Sequence, residues 1–401
     1  MNVRTTALLL LSYVVQSRIL AETVSSTTVT TTADLIVADG YLSEQHPVVT
    51  GDGYLLTLFR IPGSPRNPPQ KGKSVVFLQH GVLCSSTDWV IMGPSSSLAY
   101  LLVDAGYDVW LGNARGNTYS RQHLLDDPSK VKFWDFSWHE MGMYDLPAMI
   151  DYVLDKTGEV SLHYVGHSQG TTSFFVMASM RPEYNRKIRS MQAFAPVAFM
   201  GNLKSPFVRA MAPFVNQIEW MMRMLGVNEF LPNSEMMALG GQKACNDESL
   251  FQEVCASVLF LIAGFNSDQM NRTVLSTILR HTPAGASVTQ FVHYAQGVNS
   301  GRFRQLDYGV LLNLRRYGSI TPPNYPLELI TAPVFLHYGD NDWLAAVGDV
   351  QQLERQLGNS VGLFRVPDDR WNHLDFTYAI NAKSLLYERV IELIARWNVP
   401  I

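Results

Sequence analysis

Residues 161–180 read SLHYVGHSQGTTSFFVMASM, and the order of elements within them decides the fold. Ser161 to Val165 is a short apolar burst of the kind expected for a strand buried on both faces. Gly166-His167-Ser168-Gln169-Gly170 follows at once, and Thr171 to Met180 reads as a helix that Pro182 stops. Strand, glycine-flanked sharp turn and helix form the context in which a G-x-S-x-G pattern lifts a serine hydroxyl clear of a sheet and aims backbone N–H groups at it. The glycines are required because no side chain fits where strand and helix nearly touch. The pattern recurs at Gly358-Asn359-Ser360-Val361-Gly362. There it lies after a helix and before a strand, the reverse order, so Ser360 reads as an ordinary turn serine.

Outward from this core the chain alternates strand and helix. A hairpin turned at Gly51-Asp52-Gly53 precedes a strand at Ser74 to Gln79, a helix with Leu98, Leu101 and Leu102 closed by Gly106, and a strand at Tyr107 to Leu111. Leu146, Met149, Ile150, Val153 and Leu154 form the stripe of an amphipathic helix that Gly158 ends. Strands at Met191 to Ala195, Pro333 to Tyr338 and Val361 to Val366, with helices at Val347 to Leu357 and Thr377 to Trp397, extend the same rhythm. Such alternation predicts an α/β class with a mostly parallel central sheet covered on both faces. Residues 198–324 break it. That insert shows no clear strand, carries eight of the 16 methionines and has helical patterns at Pro213 to Leu231 and Ala256 to Phe265. It reads as a helical cap over a core built from residues 35–197 and 325–401.

A serine hydroxyl needs a base, and the base needs an orienting acid. The strand Pro333 to Tyr338 empties into Gly339-Asp340-Asn341-Asp342, and Val361 to Val366 empties into a loop carrying His373. Both are C-terminal strand ends, where α/β sheets place their sites. His373 is the only one of ten histidines after the last predicted strand, whereas His337 lies inside a strand and His281 and His293 inside the cap. At the strand end either Asp340 or Asp342 could face it. Two backbone donors must meet a developing oxyanion. Gln169, just after the serine, supplies one N–H, and Val82, in the loop Gln79-His80-Gly81-Val82-Leu83, is the candidate for the other.

Composition excludes several classes. The 401 residues are 47% hydrophobic and 16% charged, enough for a large buried core. A formal charge of −4 without basic runs argues against nucleic acid as a partner. Three cysteines without CxxC pairs support neither zinc nor dithiol chemistry, so no metal and no cofactor is expected. Gly72-Lys73-Ser74 lacks the first glycine of a phosphate loop, and His139-Glu140 lacks the second histidine of a zinc-protease helix. Residues 1–21 read as a signal peptide, with Arg4, an apolar run Ala7 to Val15, and small residues at Ser17 and Ala21. The run is too short to span a bilayer, so no transmembrane segment is expected after cleavage.

Five blocks together carry a family resemblance: LQHGVLCSSTDW (Leu78 to Trp89), NARGNTYSRQH (Asn113 to His123), FWDFSWHEMGMYDLPAMIDYVL (Phe133 to Leu154), GHSQGTT (Gly166 to Thr172) and NHLDF (Asn372 to Phe376). From about Leu35 to the C-terminus the chain resembles the gastric and lysosomal acid lipases, α/β-hydrolases of neutral lipids. The resemblance implies an α/β-hydrolase fold, Ser168 as nucleophile, Asp342 and His373 as its partners, and Val82 and Gln169 as oxyanion donors. It chooses Asp342 because the family's acid stands before an apolar pair and Ala, here Trp343-Leu344-Ala345. It also implies a disulfide between Cys245 and Cys255, leaving Cys84 free, and glycosylation at Asn271 in Asn271-Arg272-Thr273. Two positions depart from the family: Ala346 stands where an Asp is usual, and the Cys245 to Cys255 segment is one residue longer. The implied activity is hydrolysis of triacylglycerols or steryl esters at a lipid droplet or micelle interface, by a secreted or lysosomal enzyme. A carboxylesterase for small soluble esters and a lipid carrier on an inactive lipase fold are the competing readings. The Met-rich cap argues against the first, and the intact Ser168, Asp342 and His373 against the second.

Overall fold

The computed structural model describes residues 30–231, 260 and 262–398. The expected signal peptide, Cys245 and Cys255 lie outside the described residues. In chain order the elements are α1 (Thr32–Ala38), β1 (Glu44–Val49), β2 (Tyr54–Ile61), β3 (Val75–Gln79), α2 (Leu98–Asp104), β4 (Asp108–Gly112), β5 (Gln122–His123), α3 (Leu146–Thr157), β6 (Leu162–His167), α4 (Gln169–Met180) and β7 (Ile188–Phe194). The insert contributes α5 (Pro206–Met211), α6 (Val215–Met224), β8 (Glu229–Phe230), α7 (Arg272–His281), β9 (Ala286–Ser287), α8 (Val288–Ser300) and α9 (Val310–Tyr317). The chain returns to the sheet with β10 (Val334–Tyr338), α10 (Val347–Gln356), β11 (Ser360–Arg365) and α11 (Glu388–Arg396).

The main sheet runs β1-β2-β4-β3-β6-β7-β10-β11, with β5 beside β2. β1 and β2 form the antiparallel hairpin, β2 meets β4 antiparallel, and every pairing from β4 to β11 is parallel. The central strands β3, β4 and β6 are buried at every position, as their unbroken apolar runs require of strands covered on both faces. Edge strand β11 is half-exposed throughout. The parallel strands all deliver their C-terminal ends to one side, so Ser168, Asp342 and His373, each just beyond such an end, converge there.

Three expectations need correction. The insert is not free of strands, because β8 and β9 pair antiparallel through Glu229 with Ser287 and Phe230 with Ala286. The helix expected over Pro213 to Leu231 is confined to Val215–Met224, since Gly226 at φ +67° turns the chain toward β8. The single helix expected over Thr377 to Trp397 is broken. A turn at Asp375–Tyr378 ends where Ala379 bridges Met270 and the Ile380 N–H donates to the Gln269 carbonyl at 2.9 Å, and helix resumes past Lys383. There, pairing with a distant segment displaces the local i−4 ladder. The expected helix Ala256 to Phe265 lies partly outside the described residues.

Candidate active site

The turn after β6 holds Ser168 at φ +51°, ψ −115°, a conformation L-residues rarely adopt. Its neighbours must be small. A Cβ at Gly170 would lie 2.4 Å from the Gln79 carbonyl oxygen, and one at Gly166 would lie 2.9 Å from the Gly170 carbonyl carbon. The strain raises Ser168 Oγ to meet His373 Nε2 at 2.8 Å, and His373 Nδ1 lies 2.8 Å from Asp342 Oδ2 and 3.0 Å from Oδ1. All three side chains are buried. Asp342 Oδ1 also accepts from the Leu344 and Ala345 N–H groups at 2.8 and 2.7 Å, which fixes the carboxylate plane. An acid on Nδ1 holds the imidazole in the tautomer whose Nε2 is free to take the serine proton. Asp340 points elsewhere: its Oδ2 accepts from Arg365 Nε at 2.6 Å on the partly exposed surface.

The loop after β3 brings Gly81, the neighbour of Val82, close to the elbow. A Cβ at Gly81 would sit 3.3 Å from Ser168 Cβ, so only glycine lets the two turns approach this closely without displacing one. Leu83 sits at φ +61° and its carbonyl accepts from the Ala284 N–H at 2.7 Å, tying the loop to the insert. His80 fixes the base of the loop. Its Nε2 accepts from the Ala114 N–H at 3.1 Å while Nδ1 donates to the Gly81 carbonyl at 2.7 Å, and burial pushes the ring down to about 4, hence neutral. Gln169 stands at the first turn of α4, whose N–H groups the helix itself does not use. Its side chain donates to Gln290 Oε1 on α8 at 2.8 Å, a second tie to the insert.

Sequence reasoning missed the strap near residue 263 of the insert, which binds the loops that carry Asp342 and His373. The Ala263 carbonyl accepts from the Trp343 N–H at 3.2 Å and the His373 N–H at 3.4 Å, and Asn341 Nδ2 donates to the Phe265 carbonyl at 2.7 Å. Asn372 Nδ2 donates to the Gly264 carbonyl at 3.0 Å. Asp375 accepts from the Asn372 N–H and from Asn266 Nδ2, both at 2.8 Å, and burial raises its carboxyl to about 7. These partners stand about a hundred residues apart, so no local pattern announces them.

Asn271, half-buried, caps α7 by accepting from the Thr273 N–H at 3.1 Å. Cys84, part-buried, is a free thiol. The two discarded motifs do local work: Lys73 Nζ donates to the Pro62 and Asn67 carbonyls, and Glu140 accepts from the Ser137 N–H in a capping box. No helix among the described residues is long and apolar enough to cross a membrane.

Comparison with known proteins adds independent findings. The family described as "alpha/beta hydrolase fold" matches residues 74–377, and the "partial alpha/beta-hydrolase lipase region" matches residues 32–93. The chain is 48% identical to Lipase 3 of Drosophila melanogaster over 88% of this chain and 90% of that one. It is 42% identical to the gastric triacylglycerol lipase of Bos taurus, over 89% of each chain. It is 39% identical to the lysosomal acid lipase/cholesteryl ester hydrolase of Homo sapiens, over 91% of each chain.

Proposed function

Since the chain belongs to the acid lipase family of α/β-hydrolases, we propose that it cleaves neutral lipid esters, triacylglycerols or steryl esters, through an acyl-enzyme on Ser168. It is an ester hydrolase of the lipase type. The observation that carries the mechanism is the unbroken chain from Ser168 Oγ through His373 to Asp342, with 2.8 Å at each link. Ser168 Oγ attacks the ester carbonyl carbon as its proton passes to His373 Nε2, and Asp342 stabilises the imidazolium. Val82 and Gln169 donate their N–H groups to the oxyanion. His373 then gives the proton to the departing alcohol or diacylglycerol. Water, deprotonated by the same imidazole, attacks the acyl carbon and releases the fatty acid, restoring Ser168.

The ties from Ala284 and Gln290 to the oxyanion loop and the elbow support residues 198–324 as a cap over this site. Residues 35–197 and 325–401 are then the catalytic core. The relatives' names support a secreted or lysosomal location, entered through a signal peptide at 1–21, with glycosylation at Asn271. Cys245 and Cys255 form a disulfide in this reading, stabilising the fold by roughly 2 to 3 kcal/mol. Non-reducing peptide mapping reads that pairing, and a link from either to Cys84 would refute it. The test of function is hydrolysis of triolein, cholesteryl oleate and a short-chain ester by the wild type and by Ser168→Ala. We expect turnover of at least one long-chain ester that Ser168→Ala abolishes while Tm is unchanged and Ser360→Ala stays active. A Ser168→Ala protein that still turns over substrate would end the proposal.

A further inference from the structure

Helix α9 is built inside out. Its uncharged polar side chains face the protein: Asn313 is buried, accepts from the Tyr308 N–H at 3.0 Å, and donates through Nδ2 to Asp307 Oδ1 at 2.8 Å and the Ile320 carbonyl at 3.0 Å. Tyr317 donates its hydroxyl to the Leu306 carbonyl at 2.9 Å, and the Arg316 guanidinium covers the Tyr308 ring at 4.0 Å. Its apolar side chains face water instead, with Val310 58%, Leu311 82% and Leu314 45% exposed, and Ile320 just beyond at 58%. A surface helix of a globular protein normally does the opposite. The helix is not frayed, for Gly309 opens it at φ +84° and Gly318 closes it in the left-handed conformation. A fixed scaffold therefore holds leucines outward.

Charge identifies what covers them. Residues 308–321 contain Arg315 and Arg316, both exposed, and no carboxylate. An apolar face flanked by guanidinium groups, on a helix too short to span a bilayer, suits the boundary between anionic headgroups and acyl chains. Across a cavity of about 720 Å³ that Leu312 and Arg316 line with Glu219 and Arg223, α6 and the Phe214 that caps it present a further exposed set, Phe214, Trp220 and Met224. We propose that α9 is the element that seats this enzyme on its substrate particle. Val310, Leu311, Leu314 and Ile320 enter the acyl layer of an anionic phospholipid coat, while Arg315 and Arg316 meet its phosphates. The inference rests on the lipid-ester reading above and names the surface through which that substrate is reached.

The test is co-sedimentation of the full chain with vesicles of ether-linked phosphatidylcholine, with and without ether-linked phosphatidylglycerol, which the enzyme cannot hydrolyse. The wild type should bind the anionic vesicles. Leu311→Ser and Leu314→Ser should each weaken partitioning about tenfold, as expected for withdrawing a leucine from the acyl layer. Arg315→Gln with Arg316→Gln should remove most of the preference for phosphatidylglycerol, each charge contributing about fivefold. Hydrolysis of a dissolved short-chain ester should stay at the wild-type rate in all three variants, which also certifies folding. Leu311→Trp adds a direct reading, its fluorescence being quenched by brominated acyl chains beyond the wild-type level. Wild-type binding by the serine variants would overturn the proposal, as would a leucine-dependent dimer in solution that ignores vesicles. A wild type inactive on every ester but still seated through α9 would instead refute the catalytic reading and leave this one standing.

Discussion

Asp340 and Asp342 stand two residues apart beyond β10, and their different surroundings assign them different work. Asp342 is fully buried, takes two backbone N–H bonds and meets His373, so removing its charge leaves an imidazolium with no counter-charge in a buried site. Asp340 lies in a partly exposed pair with Arg365, the kind of contact that contributes little. Asp342→Asn is therefore expected to lower kcat by about 10³ to 10⁴, by analogy with triad acids generally. Asp340→Asn should lower it less than about tenfold, since it disturbs only an exposed ion pair. Measuring kcat for both variants on one soluble ester decides the matter, and the reverse ranking would move the acid to Asp340. The spacing of the residues alone left this choice open, because a strand end fixes where the chain emerges and not which of two side chains turns inward. The resemblance to acid lipases chose Asp342, and the geometry at His373 has the same residue in place.

At the scale of elements, what was legible in the sequence follows from how local its cause is. The strand Val75–Gln79 is announced by its own unbroken apolar run, and the elbow by glycines whose missing side chains the Gln79 carbonyl and Gly170 backbone would otherwise strike. The break at Ala379 is caused by Gln269 and Met270, and the β8 to β9 pair joins residues nearly sixty apart, so neither has a local signal. The strap carries the functional consequence of such non-local pairing. Asn266 holds Asp375, Asp375 holds the Asn372 N–H, and His373 comes next in the chain. Asn266→Ala should loosen the imidazole and lower kcat on the order of tenfold to hundredfold, the scale of a small misplacement of a catalytic group. Because the fault lies at the base and not at the lipid surface, soluble and emulsified esters should suffer alike with KM little changed. A loss confined to emulsified substrate would contradict the positioning role.

Across the whole molecule, buried imidazoles set an expectation for pH. His80 and His163 are pushed down to about 4, His167, His293 and His337 to about 3, and His281 to about 4, each chiefly by burial. His139 is lowered for the same reason. In an unfolded chain these rings titrate near 6.5. Below that pH the unfolded state binds protons that the folded state refuses, so stability falls as pH drops from about 6.5 toward about 4. Asp88 and Asp375, raised by burial to about 6 and about 7, act in the opposite sense, holding protons in the folded state that an unfolded carboxyl releases above about 4. Asp145, Glu229 and Asp349 are raised in the same direction. Seven lowered imidazoles outnumber the five raised carboxyls in this window, so unfolding near pH 5 should take up protons. Tm measured by calorimetry at constant ionic strength is therefore expected to decline steadily from pH 6.5 to pH 4. Replacing one contributor tests the cause. His337 Nε2 is paired with Gln192 Oε1 inside the sheet, and His337→Gln keeps a donor there while removing the titration. That variant should show a shallower decline than the wild type. A Tm that rises on acidification, or a slope the variant leaves untouched, would mean that the buried histidines do not govern acid stability.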